Sequence, residues 1–195
     1  MKKIVIILII ILVAVICGYI GYTYFVTQQQ KKIEDQLNSM TTSLKDAGST
    51  IKNDGDSLSN LESMNNLVDE DIAQLKIIED NSFNNLELKQ QEGYIMDTLI
   101  YLQNLIELSN SINTMENSVN NLGSLPSSTQ LNNLLDECTD ILNSSYLSTL
   151  KADQYNTHIE EILGISSLPN YQNLEDSLNN EITQINNDIV LLGYN

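Results

Sequence analysis

The chain has 195 residues and a formal net charge of −17, and all nine of its basic residues are lysines. Arginine is the preferred bidentate partner of phosphate and guanine, and a chain this acidic repels a polyanion, so the composition argues against nucleic-acid binding. The single histidine, His158, excludes the zinc and di-iron motifs that need two or more histidines.

The N-terminus is dominated by an apolar run of 23 residues, 4–26, which follows a short tail, 1–3. About 20 residues of helix span the hydrocarbon core of a bilayer. Lysines flank the start of the run and tyrosines cluster near its end, where such side chains anchor a helix at the membrane interfaces. The predicted anchors are Lys2, Lys3, Tyr19, Tyr22 and Tyr24. The pattern predicts an uncleaved signal anchor that spans the membrane once.

A cleaved secretory signal also begins with lysines before an apolar stretch, and it remains the alternative to an anchor. The run is longer than the apolar region of such signals, about 7–15 residues, and no small-x-small cleavage pattern follows it. A short N-terminus that carries lysines usually stays inside. We therefore expect a single-pass protein of the cell membrane, with its N-terminus inside and residues 27–195 extracytoplasmic.

Beyond the apolar run, apolar residues recur in alternating steps of three and four, which is the spacing of a heptad seam. We expect a helical stalk over 27–48 that continues the membrane helix, followed by a bundle over 49–195. If the stalk extends beyond its partner helices towards the membrane, its apolar residues need another partner. They then predict a self-association seam in a homo-oligomer. The alternative is a bundle that itself extends further towards the membrane. The seam residues are Ile33, Leu37, Met40 and Leu44.

Helical periodicity continues to the C-terminus. Turn-prone residues around Gly55 leave open whether the first outer helix is continuous or consists of two collinear helices. The second and third helices are predicted to end just before Gly123 and Gly164, each with a proline a few residues later. The predicted bundle helices cover about 56–79, 82–122, 128–163 and 170–192.

The predicted fold class is all-α. An N-terminal transmembrane helix continues into a long helix, and the outer domain is an elongated antiparallel up-down four-helix bundle or coiled coil, because short loops make neighbouring helices antiparallel. In outline this arrangement resembles the extracytoplasmic four-helix sensor domains of chemoreceptors, which also extend a helix from a membrane span. The resemblance is one of architecture.

Reactive groups are scarce in the outer segment. Asn143-Ser144-Ser145 is a candidate N-glycosylation sequon with Asn143 as the acceptor. Cys138 follows the apolar periodicity of its helix and is expected to be buried, since a free cysteine behaves as a small hydrophobe. His158 is expected to be solvated or to cap a helix. No catalytic residue, metal site or cofactor is predicted.

These observations favour a non-catalytic structural, scaffold or protein-interaction module at the cell surface, with an unidentified protein partner. The alternative is an extracytoplasmic module that binds a small ligand or senses it and works with a separate membrane partner. A sizeable cavity lined by tyrosine and methionine would favour that alternative.

Overall fold

The computed structural model of the chain describes residues 2–54, 64–81, 85–154 and 156–194, and for residues 2–13, 50, 52–54 and 79–81 it describes the helical backbone only. Within this part of the chain there are seven helices and no strand, which confirms the all-α class. The helices are α1 (Lys2–Asp54), α2 (Asn65–Asn81), α3 (Leu86–Asn120), α4 (Ser128–Asn143), α5 (Ser145–Asp153), α6 (Thr157–Leu163) and α7 (Gln172–Leu191). The turn predicted around Gly55 lies outside the described residues.

Helix α1 is continuous over 53 residues, so the predicted membrane segment and stalk belong to one element. The predicted seam lies along its second half and is buried within the chain. Helices α3 and α6 pack against α1, and Gln91 Nε2 of α3 donates to Asn38 Oδ1 at 3.2 Å. The buried residues of this seam are Ile33, Leu37, Met40, Leu44 and Ala47. The packed part of the chain thus begins at Ile33 rather than at residue 49, and the bundle extends lower than the predicted boundary.

Side-chain caps fix where α3 and α4 begin. Asn85 Oδ1 accepts from the backbone N–H groups of Glu87 and Leu88, at 3.1 and 3.4 Å, and so satisfies two donors that have no partner inside the helix. The predicted start at 82 lies outside the described residues. Ser127 and Gln130 form a capping box at the predicted start of α4.

The predicted third helix, 128–163, is interrupted twice and forms α4, α5 and α6. Ser144 adopts an extended conformation with φ −66° and ψ 145°, and its hydroxyl accepts from the Leu147 N–H at 3.3 Å. At the second break, Asn156 Oδ1 accepts from the His158 N–H at 3.1 Å. Serine and asparagine compete with helical hydrogen bonding in this way, which apolar periodicity does not reveal.

Despite these breaks, α4, α5 and α6 follow one antiparallel path along α3. Residue numbers fall on α3 as they rise on its partners. The contacts are Ser118 Oγ donating to Glu137 Oε1 (2.9 Å), Met115 Sδ with Cys138 Sγ (3.5 Å), the hydroxyls of Ser111 and Tyr146 (2.8 Å), and the rings of Tyr94 and His158 (3.8 Å between centroids). Helices α4, α5 and α6 thus run antiparallel to α3.

Helix α3 is the centre of the bundle. It packs against α1, α2, α4, α5 and α6, whereas α7 packs mainly against α4. Lys151 of α5 forms an ion pair with Glu175 of α7. The helices therefore form a bundle around one central helix, and α2 and α7 are not equivalent members of a closed four-helix ring.

Two glycines have roles in the geometry of the bundle. Gly164 ends α6 with φ 66° and ψ 29°, a left-handed conformation that costs glycine little, and this end was predicted. Helix α3 instead ends at Asn120, before Gly123. At Gly48, α1 meets α6 so closely that an added Cβ would overlap the carbonyl oxygen of Leu163.

Candidate interaction surface

The predicted membrane-interface tyrosines are exposed in the isolated chain. Tyr19 is 69 % exposed, and its neighbours along the helix are also without cover from the bundle. The exposed apolar residues between 14 and 25 are Val15, Ile16, Tyr19, Ile20, Tyr22, Tyr24 and Phe25. They occur at successive positions around the helix rather than along one stripe, so this segment is apolar on all sides. We call residues 14–25 the apolar segment.

Among the helices of the described residues, none has a stretch that is both long and apolar enough to cross a membrane. The predicted transmembrane helix is therefore not supported by the structure. Residues 4–13 of the predicted span, and the predicted anchors Lys2 and Lys3, lie outside the residues whose side chains are described.

The predicted self-association seam is already occupied. Leu37 and Leu44 are fully buried against the chain itself, and Ile33 and Met40 are nearly so. The interface between copies was predicted because the stalk was expected to be unpaired within the chain. In the structure these positions of the stalk are packed. Self-association remains a prediction.

His158 lies at the start of α6. Its imidazole is exposed and stacks on the ring of Tyr94 with an interplanar angle of 15°. Histidine on a tyrosine face is a packing contact at the first turn of α6. In the part of the chain that the structure describes, no group of three or more histidine, cysteine or acidic side chains is placed to hold a metal ion.

A pair of tyrosines, one on α3 and one just before α7, forms the main buried polar contact of the bundle. The hydroxyl oxygens of Tyr101 and Tyr171 lie 2.8 Å apart. Burial raises the pKa of Tyr101 to about 12, an effect opposed by its hydrogen bond to Tyr171. Both hydroxyls therefore stay protonated, and the pair fixes the position of the α7 start against α3.

Two aspartates are held in partly buried positions beside other acids. Burial, and then the charge of Asp97, raises the pKa of Asp153 at the end of α5. Burial, and then the charge of Glu70, raises the pKa of Asp71 on α2, whose buried Oδ2 has no hydrogen-bond partner among the described residues. Asp69 and Glu70 are exposed, whereas Asp71 is partly buried on the packed side of α2.

Cys138 and Asn143 lie on the same helix in opposite environments. Cys138 is fully buried beside Met115, as predicted, and burial raises the pKa of its thiol to about 11. Asn143 is exposed at the last position of α4, and Ser145 of its sequon is exposed at the start of α5. The acceptor is accessible, and its glycosylation stays a prediction.

One end of the bundle exposes a group of large apolar side chains, which we call the apolar tip. Here α3 ends, α4 begins and α7 ends, and the Tyr194 hydroxyl donates to the Pro126 carbonyl oxygen at 3.0 Å. Leu191 is 82 % exposed and Leu125 is 79 % exposed. The apolar tip consists of Val119, Leu125, Val190, Leu191, Leu192 and Tyr194.

The surroundings of the apolar tip carry negative charge. Glu116 lies one turn before Val119, and Asp188 lies one turn before Leu192. After Lys89 the sequence contains only one basic residue, Lys151. Contiguous exposed apolar surface with a polar rim is typical of interaction sites.

No protein-family model, no curated protein and no solved structure matches the chain. The assignment of function therefore depends on its residues and their contacts.

Sequence reasoning missed the apolar tip and the tyrosine hydroxyl pair. Leu192 ends the predicted fourth helix, 170–192, and Val190 and Leu191 precede it outside the apolar periodicity of that helix. The signal that could have revealed the tip is the run of four consecutive apolar residues, 189–192, since one packed face cannot cover all four. The contact between Tyr101 and Tyr171 depends on tertiary structure, because the two residues are 70 positions apart in the sequence.

Proposed function

We propose that this chain is a single-pass membrane-anchored helical-bundle protein that acts, without catalysis, as a structural, scaffold or protein-interaction module. The observation that carries the proposal is the exposure of the apolar segment in a helix whose continuation is packed in the bundle. An apolar surface on all sides of a helix needs an apolar environment, and a bilayer supplies one.

Two further observations support the non-catalytic part of the proposal. Most of the polar contacts described above join helices or cap them: a tyrosine pair, capping side chains and an interhelical ion pair. The apolar tip supplies an exposed surface that the fold itself does not use. A scaffold needs such a surface, whereas an enzyme needs convergent reactive groups.

Orientation follows from the lysines of the N-terminal tail. Lys2 and Lys3 precede the apolar run, and positive charge is retained on the cytoplasmic side. In this proposal the N-terminus is inside and the bundle is extracytoplasmic.

Membrane attachment is tested by expressing the full chain in bacterial cells and extracting the membranes with alkaline carbonate. The proposed anchor predicts that the chain stays in the pellet, as an integral protein does. Recovery of the full chain in the supernatant would contradict the anchor. A cleaved signal would instead yield a shortened chain that begins after the apolar run.

Orientation is tested with the variant Ser124→Cys, which places a thiol in the exposed loop between α3 and α4. A maleimide that cannot cross the inner membrane is added to cells whose outer layers are permeabilised and whose inner membrane is intact. Labelling is expected without lysis of the inner membrane. The unchanged chain is the matched control, because Cys138 is buried and Cys17 lies in the proposed span. Labelling only after full lysis would place the bundle inside.

A further inference from the structure

The apolar tip is a surface that the helices leave uncovered where α3 and α7 end, whereas most other apolar side chains of these two helices are buried or partly buried. Leu125, Val190 and Leu191 are each more than half exposed. Together with Val119, Leu192 and Tyr194 they lie at one end, held by the hydrogen bond between Tyr194 and Pro126. Exposed apolar surface of this kind is stabilised when a partner covers it.

Charge distinguishes between the classes of partner. Glu116 and Asp188 border the tip, and no lysine lies between residues 90 and 150 or after Lys151. A second copy docked through the same surface would bring these acids face to face, and like charges in an interface cost several kcal/mol. Anionic lipid headgroups would be repelled for the same reason. A cationic partner is attracted.

We propose that the apolar tip binds a cationic amphipathic helical segment of another protein. The apolar face of that helix covers Leu125, Leu191 and Leu192, and its lysine or arginine side chains pair with Asp188 and Glu116 at the rim. An amphipathic helix suits such a surface because its apolar residues recur on one face and its charged residues flank that face. The inference rests on the proposed function, because it names the class of partner for the interaction module.

The test uses the full chain in nanodiscs of zwitterionic phosphatidylcholine, with empty nanodiscs as the blank. The probe is a synthetic helical peptide of about four turns with leucine on one face and lysine on the other. A peptide of the same composition in scrambled order keeps the charge and loses the apolar face. Binding is measured by fluorescence anisotropy at low and high salt.

Two matched variants locate the binding site. The double variant Leu125→Ser/Leu191→Ser removes the two most exposed apolar side chains of the tip without altering charge. Ile77→Ser is the control, because Ile77 is 64 % exposed on α2, away from the tip. We expect the double variant to weaken binding of the amphipathic peptide at least about tenfold and the control to change it less than about twofold. Asp188→Asn should weaken binding less and reduce its dependence on salt.

Several results would overturn the inference. Equal binding to all variants, or equal binding of the scrambled peptide, would mean that general acidity attracts the probe. The absence of binding, together with a concentration-dependent dimer that the double variant abolishes, would assign the tip to contacts between copies. Circular dichroism of each variant verifies that the bundle is folded.

The outcome is separable from that of the proposed function. Leu125 and Leu191 lie outside the apolar segment, so the double variant should remain in the carbonate pellet. A chain released by carbonate that still binds the peptide through the tip would contradict the membrane anchor and leave the tip assignment intact. A chain that stays in the pellet but shows no tip-dependent binding would support the membrane anchor and contradict the proposed binding at the tip.

Discussion

The two halves of α1 have opposite environments although they belong to one continuous helix. Residues 14–25 are apolar on all sides and exposed, whereas from Ile33 to Ala47 the apolar residues form one stripe and are buried. An apolar stripe can be covered by one or two neighbouring helices, and the remaining sides stay polar. A helix that is apolar on every side cannot be covered by the same two neighbours.

The comparison shows that the distribution of apolar residues, more than their number, determines what a helix packs against. Between the two regions, polar residues such as Gln28 and Lys31 appear on the outer side of the helix. At this change the seam begins to pack on α3 and α6. The following predictions test the division between the two regions.

The largest effect is expected for Leu44→Ala, which removes a fully buried side chain of the packed half. Such a substitution loses apolar burial and leaves a cavity, at a cost of about 2–5 kcal/mol in the free energy of unfolding. The measurement is urea unfolding of the full chain in detergent micelles, followed by circular dichroism.

Ile20→Ala is the control from the exposed half of the same helix, and it should change the free energy of unfolding by less than about 0.5 kcal/mol. If Leu44→Ala had no larger effect than Ile20→Ala, the seam would not be packed in the chain. If the loss depended on protein concentration, the seam would belong to an interface between copies.

Val15→Lys tests the exposed half. A lysine at the centre of a membrane helix disfavours insertion by about 3 kcal/mol. We expect a lower fraction of the chain in the carbonate pellet and an unchanged urea midpoint for the bundle, because Val15 is 63 % exposed and packs against no other helix of the bundle. A destabilised bundle with unchanged membrane attachment would contradict the division of α1.

Gly48→Ala tests the closest approach in the packed half. Its Cβ would overlap the Leu163 carbonyl oxygen, so α1 and α6 must move apart. Overpacking of this kind costs about 1–3 kcal/mol, although alanine is the better helix former by about 1 kcal/mol. Gly21→Ala is the matched control, because an added Cβ there meets nothing within 4 Å. A more stable Gly48→Ala chain would show that the two helices are not in contact.

The smallest effect concerns pH and is confined to the bundle. Asp71 and Asp153 have raised pKa values when folded, so the folded state binds protons more readily than the unfolded one. Protonation of these carboxyls contributes to the free energy of unfolding. This contribution is complete below the ordinary pKa of 3.8 and is lost as the pH rises through the pKa of the folded state. The free energy of unfolding should therefore gain a contribution from these two groups as the pH falls from 7 to about 4, and this contribution is less than about 1 kcal/mol because both groups are partly solvated.

Asp153→Asn should reduce this pH dependence, since it removes one of the two carboxyls and its repulsion with Asp97. Asp140→Asn, at an exposed position on α4, removes the same charge and serves as the control. The urea midpoint at both pH values is the measurement. Equal pH dependence in the two variants would mean that overall negative charge, rather than Asp153, is responsible.

Much of the fold could be predicted because helical periodicity is local. The all-α class, the start of α4 at Ser128, the end of α6 at Gly164 and the burial of Cys138 follow from spacing and capping chemistry. The breaks at Ser144 and Asn156 were not predicted. A polar residue fits the helical pattern equally well when its side chain faces water and when it caps the next helix, so the pattern does not distinguish the two cases.

The sequence by itself determined that this chain is helical and acidic and that its N-terminal run is apolar on all sides, since these properties depend on residue type and on spacing within a few turns. The tertiary structure alone decided that the seam of α1 packs within the chain, that Tyr101 meets Tyr171 and that the apolar tip stays uncovered. Each of these depends on which helix lies beside which, and residues far apart in sequence can be brought together in several ways that bury the same apolar positions.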